Sequence, residues 1–292
     1  MPRVLVNGPA SWNLLVQVPV LPEKGSPAIF ATRHHAGLGG TSAGKALTLA
    51  ALGVDVTLRT SLADDPEGDL VRAALAHPRI ALVNQPVART EQHLNLMTGD
   101  GSRVSVYLEL PDPEPGPVPP LDGFDAAVLD LAEHSRPLLA EARAGGVPVW
   151  CDLHDADDAD EFRRDFLAAA DVLLVSAERL TNPRAYLADA VARGCRLAVC
   201  TDGGRGAIAR DADGWIEVGA TSAGEVVDTN GAGDAFFSGL LSGVLDGLPV
   251  ERALARASAA GAIAVTTRAL GAPSATVATV DHLATSVAVR RV

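Results

Sequence analysis

Short apolar runs recur along the chain, separated by stretches with helical spacing. Val4 to Val6, Val54 to Leu58, Ala126 to Leu129, Val147 to Cys151, Val172 to Val175 and Leu197 to Thr201 read as strands buried on both faces. Ala43 to Leu52 reads as a helix stopped by Gly53, Pro66 to Ala76 as a second, and the alanine-rich Ala253 to Thr266 as a third. This alternation predicts an α/β fold: three layers, α/β/α, around a mostly parallel sheet. Two regions break the rhythm. Leu14 to Thr32, and Arg89 to Glu109 with a turn at Thr98-Gly99-Asp100-Gly101, read as extended antiparallel pieces. The proline-rich stretch from Pro111 to Pro120 cannot be helical and reads as an extended return connection. These pieces predict a small antiparallel β lid, spanning approximately 14–32 and 89–117, inserted into a single domain of 1–292.

Composition narrows the class. A chain of 292 residues with 48% hydrophobic and 21% charged residues can bury a large core and is not disordered. The net charge of −12 argues against nucleic acid or an anionic membrane as partner. Cys151, Cys195 and Cys200 have no metal-ligand spacing, so reduced thiols in a cytoplasmic enzyme are expected. The N-terminus reads as a strand followed by a glycine turn rather than as a signal peptide, and no apolar run reaches spanning length.

The chemistry concentrates at Asp228-Thr229-Asn230-Gly231-Ala232-Gly233-Asp234, which runs into the apolar helix start Ala235-Phe236-Phe237. A turn nearly free of side chains lets backbone N–H groups converge at the positive end of a helix dipole, which is an anion site. Asp234 would lie beside that anion. A carboxylate there can take a proton from an attacking hydroxyl while the N–H groups stabilise a transferring phosphoryl group. The competing reading is a glycine turn with an acidic first helical turn.

This motif resembles the C-terminal signature of the ribokinase-like (PfkB-type) carbohydrate kinases, and other landmarks of that family follow in order over nearly the whole chain. The resemblance implies ATP-dependent phosphotransfer to a hydroxymethyl group of a sugar or sugar-like molecule. Asp234 would be the catalytic base and Gly231, Ala232 and Gly233 the anion hole. It implies Mg²⁺ beside ATP, and in some members K⁺, which Asp228, Asn230 and the loop Arg268 to Ser274 would hold. Thr201, Gly203 and Gly206 resemble the family's turn over the nucleotide. Ala257, Ala260 and Gly261 match a helix that flanks adenine in the family, though close helix packing explains their small side chains equally well. The lid would cover the substrate and exclude water. A homodimer formed through the lid is a further expectation.

The substrate side departs from the family pattern. Gly39 and Gly40 match its N-terminal glycine pair, which lets backbone amides approach substrate hydroxyls, but Gly44 stands where an Asn is usual and Asn13 where an Asp is usual. Asn13 with Gly44 offers one neutral amide and an open space, which predicts an acceptor carrying a larger or less hydroxylated group at that end, with ribose turned over poorly. The metal-associated Asn-x-x-Glu is replaced by Ser176-Ala177-Glu178-Arg179, where Glu178 reads either as a water-mediated Mg²⁺ contact or as a surface glutamate. Asp152 matches an aspartate common in the family. His154 with Asp155, and His34 with His35, read as solvated loop residues, and the acidic run Asp155 to Asp160 as a helix entry. Gly39 to Lys45 also matches the core of a phosphate-binding P-loop, but Ala46 lacks the hydroxyl that would bind Mg²⁺. Three alternatives remain beside the sugar kinase: a nucleoside kinase of the same fold, a non-catalytic metabolite-binding homologue and a P-loop ATPase.

Overall fold

The computed structural model describes residues 1–292 except 26, 100, 101, 115, 117, 158 and 159. Among the described residues the strands are β1 Arg3–Asn7, β2 Ser11–Gln17, β3 Arg33–Gly39, β4 Asp55–Leu62, β5 Ile80–Pro86, β6 Gln92–Met97, β7 Arg103–Glu109, β8 Ala126–Leu129, β9 Val149–Asp152, β10 Val172–Ser176, β11 Leu197–Thr201, β12 Ala207–Asp211, β13 Gly214–Val218 and β14 Val289–Arg291. The helices are α1 Thr41–Ala51, α2 Pro66–Ala74, α3 Arg136–Ala144, α4 Arg164–Ala169, α5 Pro183–Ala192, α6 Ala232–Leu245, α7 Val250–Ala264 and α8 Val277–Ala284.

Ten strands form the main sheet in the order β14-β13-β12-β11-β10-β9-β8-β1-β4-β5. The run from β11 to β5 is parallel; β12, β13 and β14 add antiparallel at one edge. Strand alternation divides the core in two. Val4, Val6, Val128, Trp150 and Leu174 face α1, α6 and α7, while Leu5, Leu129, Cys151, Leu173 and Val175 face α3, α4 and α5. The middle of each central strand is therefore an unbroken apolar run, the signature of a sheet covered on both sides.

The lid is a separate sheet in the order β3-β2-β6-β7. Its outer pairs are antiparallel, as expected, while its central pair, β2 with β6, is parallel. Its bounds differ from the expected 14–32: β2 starts at Ser11, and its partner is β3, which carries His34 and His35 in a strand instead of a loop. A strand exposed to solvent needs no apolar run, and the glycine- and histidine-rich β3 hides its extended conformation from a hydrophobicity pattern. Part of the expected 98–101 turn, of the proline-rich connection and of the acidic run lies outside the described residues (100, 101, 115, 117, 158 and 159).

Candidate active site

The site forms at the carboxyl ends of β8, β9 and β11, where the N-termini of α1 and α6 converge. Ligands of open α/β sheets bind at this edge. Gly231 caps α6 with a left-handed φ of 77°, and a Cβ there would lie 2.7 Å from the Gly271 amide nitrogen. The positive-φ glycine that the turn requires is therefore Gly231, not Gly233. A Cβ on Gly233 would meet nothing within 4 Å, so the turn has room for a side chain there. In the first turn, Ala232 N–H donates to the Thr229 carbonyl at 3.3 Å, whereas helical geometry gives Gly233 and Asp234 no carbonyl four residues back within the helix.

Asp234 is buried, and its surroundings are unexpected. Lys45, fully buried on α1, places Nζ 3.1 Å from Asp234 Oδ1, 2.8 Å from Asp130 Oδ1 and 3.3 Å from Asp152 Oδ2. The ammonium also stands 5.0 Å over the Phe237 ring. Asp130 Oδ2 is occupied by the Ser42 hydroxyl at 2.6 Å, and Asp152 Oδ1 accepts from the His154 N–H at 2.9 Å. Ser238 on α6 donates to the carbonyls of both Lys45 and Asp234, which fixes α1 against α6.

Three carboxylates share one ammonium, and their protonation reflects it. Burial alone would lower the Lys45 pKa, but Asp130, Asp234 and Asp152 together raise it, so Lys45 stays charged. Burial would raise Asp152, yet His154 and Lys45 pull it below the usual carboxylate range. Asp234 goes the other way, to about 6, because burial and the nearby Asp152 and Asp130 outweigh Lys45 and His154. One cation cannot neutralise three anions, and the Asp234 carboxylate is left with the deficit.

Gly44 overturns the expected vacancy. A Cβ at that position would lie 2.8 Å from Asp234 Oδ2, so the space left by the missing Asn holds the Asp234 carboxylate. Asn13, on β2, accepts the His93 N–H at 3.1 Å through Oδ1. Its amide nitrogen would lie 2.0 Å from a Cβ on Gly39, so Gly39 makes room for Asn13. Gly40 has φ 90° and its Cβ would strike the Pro9 carbonyl. Thr201 ends β11, and Gly203 and Gly206, with φ of 51° and 97°, form the turn after it. Ala260 is fully buried against Gly239 in the α6–α7 seam, so the packing reading holds there and Ala260 does not face a nucleotide. The P-loop reading fails as well, because Lys45 points into carboxylates.

Acidic donors for a metal are few. Asp130 and Asp152 are committed to Lys45, and among the described residues no three His, Cys, Asp or Glu side chains group to hold an ion. Glu178 is an exposed carboxylate on the turn after β10, suited to contact through water with an ion carried on phosphates. Asp228 Oδ1 accepts the Asn230 N–H at 2.9 Å, and Asn230 in turn accepts from Arg103 of the lid at 3.4 Å. Just upstream, a cleft of about 550 Å³ opens between the lid and this loop, lined by Gln17, Arg33, Thr98, Glu225, Asp228 and Arg268.

With this geometry established, relatives can be compared. A family model described as pfkB family carbohydrate kinase matches residues 133–277. The chain is 34% identical to an acarbose 7(IV)-phosphotransferase of Actinoplanes sp., over 90% of this chain and 92% of the relative. The chain belongs to the pfkB family of carbohydrate kinases. A second relative of this pfkB-family chain is an ATP-dependent ribose-1-phosphate kinase of Halopiger xanaduensis, 31% identical over 90% of this chain and 92% of the relative. In structure it is similar to a microbiome-derived acarbose kinase, Mak1, with a TM-score of 0.83 and 26% identity, covering 97% of this chain and 99% of that one. The protein is a sugar or nucleoside kinase of the ribokinase type. The pfkB-family landmarks in the sequence pointed to Asp234 and Asp152 but gave no role to Lys45 or Asp130. The lone polar residue closing the apolar run Ala126 to Leu129 was the available signal for Asp130.

Proposed function

We propose that the enzyme transfers the γ-phosphoryl group of ATP to a hydroxymethyl group of a sugar-like acceptor larger than a free pentose. The observation that carries this is the buried Asp234 carboxylate in the first turn of α6. The acceptor hydroxyl gives its proton to Asp234 as its oxygen attacks phosphorus. The N–H groups of Gly233 and its first-turn neighbours face the charge gathering on the phosphoryl oxygens. Thr201, Gly203 and Gly206 flank the nucleotide. Mg²⁺ arriving with ATP would neutralise phosphate charge, with Glu178 in reach through water. Asp228 and Asn230 would hold K⁺ in an enzyme that depends on it.

The preference for a large acceptor no longer rests on a vacancy at Gly44. It rests on the open polar cleft between lid and loop and on the acarbose-directed relatives. Asn13 offers this acceptor an amide in place of a charged carboxylate. A coupled ADP-release screen over ribose, acarbose, maltotriose and nucleosides, with and without K⁺, tests the reading. Turnover of ribose above all larger acceptors would overturn the size preference, and turnover of none would favour a metabolite-binding homologue. We further propose a homodimer through the lid, because the edge strand β7 exposes Val104, Val106 and Leu108 beside an unpaired backbone.

A further inference from the structure

Lys45 has no part in the phosphotransfer just described, yet it is a fully buried cation that touches the base. Removing an ammonium from water is costly unless its charge is answered on several sides, and here three carboxylates and the Phe237 face answer it. Asp130 is held in turn by Ser42, so this end of the cluster is anchored within α1 itself. Ser238 locks the backbone of α1 to that of α6 at the residues that carry Lys45 and Asp234. The two Asp234 oxygens are thereby made unequal. Oδ1 lies on the ammonium, and Oδ2 lies over Gly44, in space that any side chain at that position would take.

We propose that Lys45 is the positioning residue of the base: its ammonium holds Asp234 Oδ1 and leaves Oδ2, over the bare backbone of Gly44, as the oxygen that meets the acceptor hydroxyl. Gly44 and Lys45 then act as one unit, the first clearing space for the carboxylate and the second fixing it there. The inference rests on Asp234 being the base. The charged groups facing Asp234 are Lys45 from α1, Asp130 from the end of β8, and Asp152 and His154 from the end of β9. Lys45 is the strongest of these in favouring the carboxylate form.

The test is a ¹³C-carboxylate titration of the unliganded protein, with the Asp234 resonance assigned by its loss in Asp234→Asn. In Lys45→Met the Asp234 midpoint should rise by about one pH unit or more, as expected for losing an opposite charge at contact distance. With acarbose as acceptor, kcat should fall about tenfold or more while KM for ATP holds, the response expected when a base is misplaced and binding is spared. If Lys45→Met does not fold, Lys45→Met/Asp130→Asn removes one cation and one anion together. Its midpoint should still rise, because Lys45 outweighs Asp130. A midpoint that stays or falls in a folded variant, whatever happens to its melting temperature, overturns the proposal and leaves a merely structural lysine. Full turnover in Asp234→Asn would instead overturn the assignment of the base, which the titration does not depend on.

Discussion

As the proposed base, Asp234 should carry the reaction's pH dependence. Its carboxyl titrates near 6, and only the ionised form can accept a proton, so kcat should rise as pH increases through about 6 and level off above it. Asp234→Asn should bind ATP normally and lose roughly 10²–10⁴-fold in kcat, the range for removing a positioned base. The raised pKa has a stability counterpart of opposite sign to the usual carboxylate. The folded state holds the Asp234 proton more tightly than the unfolded state, so its ionisation costs stability as pH rises from about 4 through 6. The melting temperature of Asp234→Asn, relative to wild type, should therefore improve between pH 4 and pH 8; a gap that shrinks over that span would contradict the burial argument. Gly44→Asn, which would restore the family residue, should lower turnover with every acceptor and give ribose no advantage, because its side chain would displace Oδ2.

The helix that carries Asp234, α6, is backed by α7, and glycine governs how closely the two approach. A Cβ on Gly239 would stand 2.9 Å from both Ala257 Cα and Ala260 Cβ, so Gly239→Ala should force α6 from α7 and cost roughly 1–3 kcal/mol, read as a lower melting temperature. Gly231→Ala strains a left-handed cap and crowds Gly271, and should lose turnover more than Gly233→Ala, whose Cβ has space. The doubly buried strands and the Asp228–Asp234 motif were legible because both are local patterns: unbroken apolar runs, and a fixed order of small and acidic residues. β5, β12 and β13 were not anticipated: β5 is an edge strand whose apolar start turns polar, β12 and β13 mix apolar and polar residues, and α3, α4 and α5 are short helices with mixed faces. The Lys45 cluster joins four separate segments. Its lysine read in sequence as half of a P-loop, and no spacing rule links residues 45, 130, 152 and 234 before the sheet order is known.

At the level of assembly, β7 is the exposed edge strand of the lid sheet. Its Val106 is 41% exposed, a poor arrangement for a solitary molecule. Val106→Lys should convert a dimer to a monomer in light scattering behind size exclusion, and a wild type already monomeric at micromolar concentration would refute the lid pairing. The main sheet has a different consequence. Its first strand, β1, lies between β4 and β8, so residues 4–7 pair with 126–129 only after the whole lid has been made. Chain closure over that span is slow, and the lid strands β2, β3, β6 and β7 must be kept apart from β1 meanwhile. During synthesis the apolar Val4-Leu5-Val6 segment emerges ahead of both its partner strands and must wait for β8. Early aggregation in the cell should therefore track this segment: a charged substitution in the partner strand β8 should increase insoluble protein through delayed capture of β1, with β4 pairing left intact.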